Sequence, residues 1–152
     1  MDKAILYIHG KGGNPKEAEY YKALFEEYDV IGFDYSSQSP WEAKKEFPRL
    51  FDNLCGTYET VTVIANSIGA FFAMSALADS KIEKAYFISP VVDMERLIRN
   101  MMQWANVTED DLQNRKKSRH PLEKHFPGLS LLCEGASCYL DCSNAHSVWR
   151  KG

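Results

Sequence analysis

The chain has 152 residues, 45% of them apolar and 26% charged, with a net charge of −3; this suits one globular domain with a real core. That balance gives no basis for binding nucleic acid or an acidic membrane, and no apolar run approaches the roughly 18 residues of a membrane span. Met1-Asp2-Lys3 leads straight into A-I-L-Y-I-H-G, too short and too strand-like for a signal-peptide core. The expectation is a cytoplasmic protein whose four cysteines stay reduced.

Ala4–Ile8, rich in branched and aromatic residues, predicts a first strand that ends at H-G-K-G-G (His9 to Gly13). Asn14-Pro15 opens a helix expected over Lys16–Tyr28, where Ala18, Tyr21, Leu24 and Phe25 recur at helical spacing. Val30–Tyr35 reads as a second strand closed by the turn residues S-S-Q-S-P. A second helix is expected over Trp41–Leu54, carrying Trp41, Phe47, Leu50, Phe51 and Leu54. Val61–Ala65 is a third strand, A-F-F-A-M-S-A-L-A a third helix, and Lys84–Ser89 a fourth strand halted by Pro90. Alternating strands and helices with short connections predict a parallel sheet covered on both faces. In such sheets ligands bind beyond the carboxyl ends of the strands, where His9, Asp34, Ser67 and Ser89 fall.

The stretch V-T-V-I-A-N-S-I-G, Val61 to Gly69, carries the sharpest chemical signal. A strand, a sharp turn bearing a serine, and a helix form the G-x-S-x-G nucleophile elbow, with Ala65 in place of the first glycine. The turn is expected to hold Ser67 in a strained conformation with its hydroxyl above the strand ends. Side chains two residues to either side would crowd it. The pentapeptide alone is a weak signal, because small residues around a serine are common.

Three features occur together and in order: H-G-K-G-G after the first strand, A-N-S-I-G after the third, and I-S-P-V-V-D-M after the fourth. On these the chain, from Ala4 to about Gln113, resembles a small bacterial α/β-hydrolase. The resemblance implies a three-layer α/β/α fold with a mostly parallel sheet. Its strand order would be Val30–Tyr35, Ala4–Ile8, Val61–Ala65, Lys84–Ser89. It implies Ser67 as nucleophile toward a small ester, thioester or amide, and an oxyanion hole from the backbone amides of Lys11 (or Gly12) and Ile68. No cofactor is implied. His9 reads as a turn-stabilising residue rather than a base. Residues 91–113 read as an amphipathic helical start of a cap, with Thr108-Glu109-Asp110-Asp111 as an N-cap and acidic first turn. Asp93 is an outside alternative for the triad acid.

The chain changes character after Gln113. Residues 114–152 hold seven Lys/Arg against three Asp/Glu, together with Cys133, Cys138, Cys142, His120, His125 and His146. Only Leu129–Cys133 resembles a strand. The family's later strand ends, which would bring the acid and the base, are not recognisable. The reading is therefore a hydrolase core over 1–113, incomplete toward its C-terminus, and a divergent, poorly ordered tail over 114–152. A frameshift is one hypothesis for the tail; the same tail found intact in close relatives would remove it. A serine needs a base, and the base an orienting acid; His146 with Asp141 is the one tail pair in the family's order. Cys133-x4-Cys138-x3-Cys142-x3-His146 does not match the paired spacing of structural zinc sites, so no metal is expected. The alternative to a serine hydrolase is a hydrolase-like protein that has lost catalysis. With those later strands absent, Lys84–Ser89 would be an exposed apolar edge prone to self-association.

Overall fold

The structure is a computed structural model that describes residues 2–106, 108 and 110–111. One compact unit covers Met1–Val92 and a second begins at Asp93. In the first unit, β1 (Lys3–Ile8), β2 (Asp29–Gly32), β3 (Thr60–Asn66) and β4 (Lys84–Ile88) form one parallel sheet in the order β2-β1-β3-β4. This is the order expected from the sequence. The first crossover leaves β1 on one side and the next returns past it to β3. Right-handed connections therefore place their helices on opposite faces.

Side-chain alternation along the strands separates two cores. Leu6 and Ile8 of β1 and Val61, Val63 and Ala65 of β3 face α2 (Pro40–Thr57) and α3 (Ile68–Ala76), packing with Phe33, Phe47, Phe51 and Phe72. Ile5, Tyr7, Val30 and Ile64 face the opposite layer, formed by the 3-10 turn Pro15–Ala18, α1 (Glu19–Lys22) and the following turns, with Ala18, Tyr21, Phe25 and Tyr28. The result is a three-layer α/β/α sandwich. Each fully buried Leu, Ile or Phe stabilises it by roughly 1.5–3 kcal/mol.

Local chemistry sets the element ends. Ser39 caps α2 with a full capping box to Glu42, and Pro40 occupies the first turn. Its buried stripe is Ala43, Phe47, Phe51 and Leu54; Trp41 lies away from that stripe and is 40% exposed. The expected long helix over Lys16–Tyr28 is also corrected. Asn14 caps a 3-10 turn that gives way to a single α turn ending at Lys22. Beyond it, Leu24 N–H donates to the Tyr21 carbonyl and Tyr28 N–H to that of Phe25, both at 3.0 Å. These i to i−3 bonds wind the chain more tightly than an α-helix. The stripe drifts, and Leu24 ends 73% exposed.

In the second unit, α4 (Met94–Ala105) is capped by Asp93, whose carboxylate accepts from Arg96 N–H at 2.9 Å. Asn106 ends it in the left-handed conformation, φ 51°. Thr108 then exchanges bonds with Asp111: its N–H donates to the carboxylate at 2.9 Å, and Asp111 N–H returns to Thr108 Oγ1 at 3.2 Å. No helix among the described residues is long and apolar enough to cross a membrane.

Candidate active site at the carboxyl ends of β1 and β3

The strand order reverses between β1 and β3, and the loops leaving their carboxyl ends diverge there. Ser67 stands at that point, between the last residue of β3 and the first of α3. Its backbone lies at φ 52°, ψ −121°, a region that an L-residue with a side chain enters only at a cost of about 1–3 kcal/mol. Hydrogen bonds hold it there. Ser67 N–H donates to the Ile88 carbonyl of β4 at 2.9 Å, while its own carbonyl accepts from Ala70 N–H at 3.2 Å and Val91 N–H at 3.3 Å. A serine in this position normally has extended backbone and caps the helix with its hydroxyl. The Ser67 side chain makes no such cap bond.

The β1 loop comes close to this serine. A Cβ at Gly10 would sit 3.1 Å from Ser67 Cβ and 3.8 Å from its Oγ. A Cβ at Gly69 would sit 2.2 Å from the His9 carbonyl oxygen. What the elbow's second glycine makes room for is thus the neighbouring loop rather than the serine itself. Lys11 and Gly12 follow Gly10 on the exposed rim, Gly12 at φ 74°. Ile68 opens α3. The structure therefore gathers Ser67, Ile68 and the Gly10–Gly12 loop at one end of the sheet. His146, Asp141 and the cysteines at 133, 138 and 142 lie outside the described residues. Asp93, the other acid considered, is engaged as the α4 cap. Among the described residues, no group of three or more His, Cys, Asp and Glu could hold a metal ion.

Support for the loop comes from residues read in the sequence only as a strand end and a turn. Tyr35 Oη donates to the His9 carbonyl at 2.8 Å, and the two rings stack with centroids 4.5 Å apart. Burial, then the Glu46 and Glu17 carboxylates, push the Tyr35 phenol up to about 12, so it stays a donor. His9 Nδ1 lies 2.9 Å from the Gly10 carbonyl; a carbonyl only accepts, so Nδ1 carries the proton. Lys11 Nζ donates to Gln38 Oε1 at 3.2 Å. The Ser36–Gln38 turn is pinned in turn by α2. Burial alone would raise the Glu46 carboxyl, but bonds from the hydroxyls and amides of Ser36 and Ser37 hold it below its ordinary value. On the other face, the buried Tyr7 hydroxyl donates to Glu17 at 2.6 Å, and burial with that carboxylate pushes its pKa well up.

Sequence comparison finds no matching family model and no matching curated protein. Among solved structures, the chain is similar to a carboxylesterase of the ammonia-oxidizing thaumarchaeon Nitrososphaera gargenis. The TM-score is 0.51 at 16% identity, over 90% of this chain and 57% of that one. The fold is that of an α/β-hydrolase. This α/β-hydrolase fold thus spans little more than half the length of its carboxylesterase neighbour, and at such identity the likeness extends to architecture alone.

Proposed function

We propose that the chain is a serine hydrolase acting on a small carboxylic ester, thioester or amide. In this reading Ser67 Oγ attacks the acyl carbon and gives its proton to a base. The carbonyl oxygen becomes an oxyanion held by the amides of Ile68 and Lys11 (or Gly12). Collapse of the tetrahedral species expels the protonated leaving group, and water then releases the acid from the acyl-serine. His146, oriented by Asp141, is the candidate base.

One observation carries this reading. Ser67 is held at a strained φ of 52° at a helix start, yet its hydroxyl does not cap that helix. Strain of this kind persists only where its surroundings enforce it, and it concentrates at functional sites. The experiment is labelling by a fluorophosphonate probe, read by intact mass, on wild type and Ser67→Ala. The expected outcome is fast single-site labelling that vanishes in Ser67→Ala, with His146→Ala then testing the base. Absence of labelling in the folded wild-type protein would instead establish the alternative, a hydrolase-like protein without catalysis.

A further inference from the structure

We propose that Tyr35 is a positioning residue that aims the Lys11 N–H at the oxyanion; the proposal rests on the serine-hydrolase reading. The Gly10 carbonyl and the Lys11 N–H belong to one rigid group and point in opposite directions. Whatever holds the carbonyl therefore aims the amide. Two donors hold it: Gly13 N–H at 3.1 Å and His9 Nδ1 at 2.9 Å.

The second of these depends on where the imidazole lies, and Tyr35 fixes that. Its ring stacks on His9 at 4.5 Å with 20° between planes, and its hydroxyl grips the carbonyl of the same residue at 2.8 Å. Tyr35 is itself wedged edge-on between Phe47 of α2, at 5.2 Å, and Phe72 of α3, at 6.2 Å. Phe72 belongs to the helix whose first amide is Ile68. One side chain thus ties together the two pieces of backbone that carry the two oxyanion donors.

The test uses the full 152-residue chain and Tyr35→Phe, which keeps the ring and its packing but removes the hydroxyl. Two readouts are compared with wild type. Amide hydrogen exchange, followed by NMR, should rise roughly ten-fold at Gly13, whose N–H bonds the Gly10 carbonyl, the scale of one lost hydrogen bond, with Ile5–Tyr7 unchanged. Probe labelling, and kcat on an activated acetate ester, should fall by a similar factor while KM stays fixed. Unchanged exchange across the loop overturns the proposal, and so does faster exchange with unchanged labelling. A wild type that never labels brings down the serine-hydrolase reading alone; exchange at the loop then judges the Tyr35 clamp by itself.

Discussion

Strands β1 and β4 begin alike, K-A-I-L-Y-I and K-A-Y-F-I, and their surroundings differ completely. From Ala4 to Ile8 every residue of β1 is buried, whereas all five residues of β4 are exposed, Tyr86 at 49% and Phe87 at 38%. Composition does not distinguish them. Position does: β1 has strands on both sides and helices over both faces, while β4 pairs with β3 alone among the described residues. An apolar groove of about 310 Å³, lined by Leu77, Ile82, Ala85 and Phe87 among others, opens beside it. Burial is a property of the neighbours a strand acquires, and the same letters describe a core strand or an open edge.

This contrast can be broken most directly by truncation. Leu6→Ala in β1 should cost about 2–5 kcal/mol in urea unfolding, because the site is enclosed and cannot collapse. Phe87→Ala in β4 should cost about 1 kcal/mol or less; comparable losses would mean that β4 is covered in solution. Gly69→Ala tests the crowded end of β1, where the new methyl meets the His9 carbonyl. Moving the loop aside should cost about 1–3 kcal/mol and slow probe labelling of Ser67, and a fully stable, fully reactive variant would refute the close approach. Glu46→Gln sharpens the picture at the other end of the loop scaffold. The Glu46 carboxyl is held below its ordinary 4.5, so its contribution is whole above that pH and fades as pH falls through the lowered value. The variant should lose about 1 kcal/mol at neutral pH and show a flatter decline on acidification; an unchanged acid limb would contradict the pinning. Smallest in stability terms is Phe87→Lys. Sedimentation should show wild type gaining mass with concentration through pairing of β4 edges between copies, and the lysine variant staying monomeric.

The parallel direction of the strands was legible because apolar runs alternated with helical segments across short connections, whereas their order came from the family resemblance. The elbow was legible because its pattern is local. One helical detail was not. The segment after Lys22 kept a helical spacing of apolar residues, but i to i−3 bonds at Leu24 and Tyr28 flank one i to i−4 bond at Phe25, and no regular helix runs on to β2. The supports of the β1 loop were hidden for a different reason. Tyr35 and Gln38 act on His9 and Lys11, 26 and 27 positions earlier in the chain, and D-Y-S-S-Q-S-P carries no motif that announces them. His146 and Asp141 stand where the sequence left them, as candidates for the base and acid.

The register of the sheet also bears on how the chain assembles. β1 meets β2 across the interval from Ala4 to Asp29 and β4 meets β3 across that from Thr62 to Lys84, but β1 meets β3 across that from Lys3 to Thr60. The central pair thus closes a loop roughly twice as long as either flank. Loop-closure entropy charges only about 0.6 kcal/mol for such a doubling, so equilibrium scarcely notices it. Order of synthesis does: β1, made before the other three described strands, must wait for Thr60–Asn66 before its second edge is covered. Until then the most apolar strand of the sheet is open on one side, and the nascent chain is most vulnerable to wrong pairing while its future core strand is half dressed.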